Sequence, residues 1–408
     1  MRPSELQSDT IARARKLQNC INQGSFLRFF YCLKVSVAVV ALCATLGCQS
    51  TSLLTTAGSD VTDEAGNSMI SIIAGTYNQK GSEGIYTFAF DQSTQSFTAP
   101  KLIAKADNPS YLHINKGSLF TVKEVGNGAL DLYQPSPSGL EMVSSQRTLG
   151  ASPCYISLSP SGEYIATANY MGGSISIFGV NDDGLTTEPQ LLQHSGRGPN
   201  KSRQEAAHAH WVQWSEDESQ IYAVDLGIDK IIVYPFDSEA GVAGQGRDAL
   251  TLSPGDGPRH MYFHPFKDFA YVLNELSNTI SVANVLADGS MSVAQTVDML
   301  PKEFNGHSQG GHLYVNTEGT RLYASNRGHD SIVVYAIDQT GLLSQIDIHS
   351  SGGKWPRHFL VLEDQGLILV GNQESDQVVA LKLDEDGKIT GSLAELSLPQ
   401  VTFLGLWQ

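Results

Sequence analysis

Cysteine, methionine and tryptophan are scarce, at 5, 7 and 4 of 408 residues. So few thiols exclude a fold built on disulfides. Charge is thin as well, at 17% of residues, and leans acidic: 26 Lys and Arg against 42 Asp and Glu, a net of −16. That balance excludes a binder of the nucleic-acid backbone, which needs a cationic surface. Phosphate-loop, dinucleotide-fingerprint and nucleophile-elbow sequences are all missing, so nothing points to a nucleotide cofactor or an elbow serine. What is abundant is glycine, 39 residues, beside 41% hydrophobic residues. This is the composition of a turn-rich, all-β protein with ample material for a core.

Long apolar runs are also few. One lies near the N-terminus, from Val35 to Gly47, after Arg2, Arg13, Arg15, Lys16, Arg28 and Lys34 with only Glu5 and Asp9 opposing them. A basic stretch, a short apolar run and small residues before a cut site read as a signal peptide over 1–47. The run falls short of the roughly 20 residues that a spanning helix needs. Cys48, directly after Leu46-Gly47, resembles the lipidated cysteine of a bacterial lipoprotein signal. The expectation is export to the periplasm, with membrane attachment only through a lipid on Cys48. Removing 1–47 leaves 20 basic and 40 acidic residues, and residues 48–68, rich in Ser, Thr and Gly, read as a flexible tether.

From residue 69 the chain repeats itself. Six segments open alike: Pro109-Ser-Tyr-Leu-His, Pro153-Cys-Tyr-Ile-Ser, Ala209-His-Trp-Val-Gln, Pro258-Arg-His-Met-Tyr, Gly310-Gly-His-Leu-Tyr and Pro356-Arg-His-Phe-Leu. Each continues through a polar turn into a second apolar strand ending at Lys123, Asn169, Asp225, Asn274, Asn326 and Asn372 respectively. Opening and closing residues stand 14 apart in the first segment and 16 apart in the other five. A third strand follows, such as Ser174-Ile-Ser-Ile-Phe or Ser331-Ile-Val-Val-Tyr. Repeats of this length built from short strands are the blades of a β-propeller. A seventh blade follows from the two ends, with Ile70–Ala74 and Gly84–Phe90 as inner strands and Val401-Thr-Phe-Leu closing the ring. The fold expected over 69–408 is therefore a seven-bladed, all-β propeller of four-stranded antiparallel blades.

The register also gathers polar residues. The first two strands of a blade form a hairpin, so the start of one lies level with the end of the other. Residues just after each opening (Ser110, Cys154, His210, Arg259, Gly311, Arg357) then share one channel mouth with those just after each close (Glu124, Tyr170, Leu226, Glu275, Arg327, Gln373). A purely structural repeat would keep these positions alike; here they diverge into Arg, His and Glu. The loop from Gly196 to His210 adds Arg197, Lys201 and Arg203 in an otherwise acidic chain. Together Arg203, Arg259, Arg327 and Arg357 suit an anionic small molecule. Asn274, Asn326 and Asn372 suit turn geometry and read as structural. Cys154 has no evident base and reads as a small buried thiol. His208-Ala-His210 lacks the carboxylate partners of a metal site, so no metal or other cofactor is expected.

These motifs resemble the lactonase family of seven-bladed propellers, which includes bacterial propeller-type 6-phosphogluconolactonases and fungal carboxymuconate cyclases. The stretches that carry the likeness include Asn108-Pro-Ser-Tyr, Gln204-Glu-Ala-Ala-His-Ala-His, Asp225-Leu-Gly-Ile-Asp, Gly257-Pro-Arg-His, Leu273-Asn-Glu and Ser325-Asn-Arg-Gly-His-Asp-Ser. The resemblance implies lactone chemistry by His210, Arg259, Glu275 and Arg327. His208, Arg203, Arg357, Glu124 and His312 then stand as substrate contacts. Gly311-His312 departs from the family, which often carries an acidic residue there. The reaction expected is hydrolysis of a sugar lactone such as 6-phosphogluconolactone. In it water attacks the ring carbonyl, an arginine holds the oxyanion, and Glu275 or His210 is general base. A monomer acting on a small anionic lactone is expected. Two other readings remain open: an envelope-tethered binding propeller without catalysis, and a carboxymuconate cyclase-like enzyme.

Overall fold

A computed structural model describes residues 69–407, apart from 138, 182, 183 and 187. The expected signal, Cys48 and tether lie outside the described residues. Seven antiparallel sheets form the blades of a propeller, and no α-helix occurs among the described residues. Three blades split their outer edge into two short segments, as in Ser96–Phe97 with Lys101–Lys105.

The inner hairpins fall where the spacing places them. Pro153–Leu158 pairs with Tyr164–Asn169, Ala209–Trp214 with Gln220–Asp225, Pro258–Phe263 with Phe269–Asn274, and Pro356–Leu362 with Leu367–Asn372. The closing asparagines are structural, as expected: Asn274 Nδ2 donates to Thr279 at 2.9 Å and Ser281 at 3.0 Å, pinning the third strand to the second.

The closing blade corrects one detail. Val401–Leu406 is its innermost strand, and Met69–Thr76 is the second, with Ile72 opposite Leu406 and Thr76 opposite Val401. Tyr77 therefore occupies the same position after a closing residue as Glu124, Tyr170 and Glu275. An open ring would leave a row of unpaired backbone groups along the edge of Met69–Thr76.

The core lies between blades. Trp211, Val224 and Ile231 of one blade pack against Met261, Ala270 and Val272 of the next, all nearly or fully buried.

Every inner strand from Pro153 onward breaks register near its start, at the second residue except in Gln309–Val315, where the break follows Gly310. Pro258 faces Asn274 and His260 faces Leu273, so Arg259 is an extra residue in the ladder. Cys154, His210 and Arg357 are extra in the same way, and Gly311 with His312 makes a two-residue irregularity. Successive residues of a regular strand point to opposite faces. The bulge re-aims one of them, so a single strand can present two neighbours to the channel.

Candidate active site

The bulged positions and the positions after the second strands meet as the hairpin register requires. At their centre is Glu275, 1% exposed, with three guanidiniums around it. Arg203 Nη2 lies 2.5 Å from Oε1, while Arg259 Nη1 and Arg327 Nη2 lie 2.9 and 2.7 Å from Oε2. Burial alone would raise this carboxyl; Arg327, Arg259 and Arg203 outweigh it and hold the group well below the usual carboxylate range.

Each arginine is fixed from behind. Arg259 donates through Nε to the carbonyl of Gly311 at 2.6 Å and through Nη1 to His210 Nε2. Arg327 donates through Nη2 to the carbonyl of Gly310 at 2.5 Å and lies 5.4 Å from the ring centroid of Trp355. A Cβ on Gly311 would sit 2.5 Å from Ser325 Oγ and 2.7 Å from the carbonyl of Pro356. A side chain at this position would have to displace one of them. Trp355 itself has φ of 64°, an unfavourable conformation for a bulky residue, and its N–H donates to Asp330 Oδ1 at 2.8 Å.

Arg203 comes from the long loop, which is anchored rather than loose. Gln204 Nε2 donates to the carbonyl of Leu226 at 2.9 Å and to Asp229 Oδ1 at 2.7 Å. Arg203 also donates to the hydroxyl of Tyr170 at 3.2 Å, and Tyr170 stacks on His208 at 4.6 Å. His208 thus supports the site through Tyr170, with its other ring nitrogen 3.2 Å from Glu205. Arg197 and Lys201 are exposed on the same loop.

His210 is buried. A guanidinium only donates, so its Nε2 accepts from Arg259 and its Nδ1 carries the proton, 3.7 Å from Cys154 Sγ. Burial, then the charge of Arg259, keeps this ring neutral well below the ordinary histidine range. Burial pushes the Cys154 thiol up, away from thiolate chemistry.

A second cluster completes the mouth. Tyr77 donates to both oxygens of Glu124 at 2.9 Å, Ser110 donates to Oε2, and Arg357 Nη2 donates to the hydroxyl of Tyr77 at 2.7 Å. Burial raises the Glu124 carboxyl despite the charges of Arg357 and Arg259.

His312 lies elsewhere. It belongs to a closed girdle of six rings across the channel: Tyr111, Tyr155, His260, His312, His358 and Phe403, with neighbouring centroids 4.1 to 5.4 Å apart. His312 stacks on His358 and its Nδ1 lies 3.2 Å from that of His260, so it sits in the girdle rather than among the ion pairs of Glu275, within reach of the charge of Arg259. A cavity of about 250 Å³ follows further along the same strands, lined by the girdle and by Tyr262, Tyr314 and Leu360. Tyr77 and the girdle were missed by the sequence reading, though one repeat-register residue per inner strand would have found most of the girdle. No group of three or more potential metal ligands occurs among the described residues.

The fold is that of a lactonase propeller. The family model described as "Lactonase, 7-bladed beta-propeller" matches residues 71–405. The chain is 35% identical over 334 residues to the 6-phosphogluconolactonase of Bacillus subtilis, covering 80% of this chain and 95% of that protein. The periplasmic gluconolactonase of Pseudomonas aeruginosa superposes with a TM-score of 0.78 at 32% identity, over 84% of this chain and 99% of that one. A protein of known structure from Lactobacillus plantarum gives a TM-score of 0.77 at 27% identity, over 83% and 100%. The chain belongs to the seven-bladed lactonase family.

Proposed function

We propose that this protein hydrolyses a sugar lactone that carries an anionic group, 6-phosphogluconolactone or a related aldonolactone. The observation that carries the reading is the charge at the mouth: four guanidiniums, Arg203, Arg259, Arg327 and Arg357, surround only two carboxylates, Glu275 and Glu124. The surplus suits a phosphate or carboxylate together with an oxyanion that forms during reaction. The name of the Bacillus relative agrees with a phosphorylated sugar lactone, and that of the Pseudomonas relative with a sugar lactone.

Water attacks the ring carbonyl, and the oxygen that gains charge is held by Arg259, backed by Arg327. The partly exposed Arg203 and Arg357 hold the anionic group. Glu275 is reassigned from base to clamp. A carboxylate held ionised by three guanidiniums is a weak proton acceptor, and His210 already uses its lone pair on Arg259. The protein is read as an exported monomer attached through Cys48, a reading supported by the N-terminal sequence and by likeness to a periplasmic enzyme.

The test is a lactone panel with the purified mature protein. Hydrolysis of δ-gluconolactone or its 6-phosphate should exceed the spontaneous rate, with preference for the phosphorylated ring. Binding without acceleration would favour a non-catalytic propeller, and cyclisation of a muconate would favour the cyclase reading. Glu275→Gln should leave the buried Arg259 and Arg327 and the partly exposed Arg203 without their counter-charge, destabilising the fold by about 3 kcal/mol. It should also slow turnover because the arginines lose their positions; thermal melting and initial rates check this, and an unchanged variant removes the clamp.

A further inference from the structure

The mouth holds two carboxylates in opposite circumstances. Glu275 is fully buried and takes three charged donors. Glu124 is only half-buried and takes neutral hydroxyl donors: Tyr77 on both oxygens and Ser110 on Oε2. Each carboxylate oxygen has two lone pairs. Oε2 takes Ser110 and a share of the single Tyr77 proton, whereas Oε1 takes only the other share, so Oε1 keeps room for a further donor, on the carboxylate of the mouth that reaches solvent.

We propose that Glu124 is the catalytic base of the hydrolytic step, with Tyr77 and Ser110 as the residues that position it; the proposal rests on the lactonase reading. The attacking water gives a proton to Glu124 Oε1 as its oxygen bonds to the lactone carbonyl carbon. The carbonyl π electrons move onto the oxyanion beside Arg259. When the tetrahedral intermediate collapses, the carbonyl reforms and the ring C–O bond breaks. The leaving ring oxygen takes the proton back from Glu124, now a carboxylic acid. Lactone and water become a hydroxy acid, and Glu124 ends as it began.

The electrostatics agree. The groups facing Glu124 are Arg357 and Arg259, Tyr77 and Cys154, with Ser110 in contact. Burial, opposed by the two arginines, leaves its proton affinity above that of an ordinary glutamate, which makes it a better base than Glu275. Tyr77 stays a phenol, because burial pushes it up, so it can only donate to the carboxylate.

The experiment compares wild type, Glu124→Gln and Glu124→Ala on whichever lactone the wild type hydrolyses. Glu124→Gln should lose about 10²- to 10⁴-fold in kcat with little change in KM. Its rate should rise with hydroxide concentration instead of levelling off, whereas the wild type should show an acid limb above the usual glutamate range. Formate or acetate should restore part of the rate in Glu124→Ala, an effect that a structural role would not produce. A folded Glu124→Gln variant, judged by its melting curve, with kcat within about threefold of an active wild type overturns the assignment. So does loss confined to KM, or absence of rescue with an unchanged pH profile. A wild type inactive on every lactone instead overturns the lactonase reading itself.

Discussion

Arg259→Ala should lower kcat by about 10²- to 10³-fold, the scale expected when one donor to a developing oxyanion is removed from a water-poor site. The loss should fall mainly on kcat, because Arg203 and Arg357 still hold the anionic end of the substrate. Arg259 also makes three ground-state contacts, to the carbonyl of Gly311, to Glu275 and to His210. Lysine presents its three donors from one nitrogen and cannot span all three partners, so Arg259→Lys should recover little of the lost rate although it keeps the charge. Steady-state kinetics on the best lactone, with near-ultraviolet circular dichroism to confirm a native fold, give the answer. Either variant turning over at the wild-type rate would remove Arg259 from the chemistry.

The second large effect is on stability in mild acid. His210, His260 and His358 are held neutral well below the ordinary histidine range, and His312 is pulled down to about 3, in each case chiefly by burial. Unfolded histidines titrate near 6.5. Below that pH the unfolded chain takes up protons that the native rings refuse, so stability falls as pH falls. For His312 the loss continues until about pH 3. Each such ring contributes up to about 1.4 kcal/mol per pH unit within its window. Glu275 adds its own loss only at lower pH: its folded value is depressed, so its contribution is complete above the unfolded carboxylate value and disappears as the native carboxyl protonates. The melting temperature should therefore drop from pH 6.5 to pH 5, before Glu275 matters and with only a partial offset from Glu124, whose raised carboxyl takes up a proton in the native state first. His312→Phe and His358→Phe should flatten that slope. A melting temperature constant across this range would mean that the girdle imidazoles are free to charge.

The fold was legible because blade hairpins repeat with fixed spacing, so Pro153, Ala209, Pro258 and Pro356 mark strand starts without any appeal to propensity. The same spacing brought His210, Arg259, Glu275 and Arg327 to one end of the channel. What it missed has two causes. The bulges are invisible in an alternation pattern: a ladder without them sends Arg259 and His260 to opposite faces, whereas the actual one aims the first at Glu275 and the second into the girdle. The closing blade is a question of topology. With Ile70–Ala74 taken as an inner strand, Tyr77 had no place in the ring; with Val401–Leu406 innermost, it falls beside Glu124. Surroundings were less legible than positions, since Glu275 sits among guanidiniums and Glu124 among hydroxyls, a difference that sequence spacing does not reveal.

The seam between Met69–Thr76 and Val401–Leu406 sets an order of events during folding. A chain growing from its N-terminus makes the second strand of that blade first and its innermost strand last, so the most distant pairing must wait for the end of synthesis. Tyr77, Glu124 and Arg357 come from blades at and on either side of that seam, and the Arg357–Tyr77–Glu124 chain of hydrogen bonds joins them. The second half of the mouth therefore comes into being only when the circle is complete, and a nascent or clipped chain with every other blade in place still lacks it.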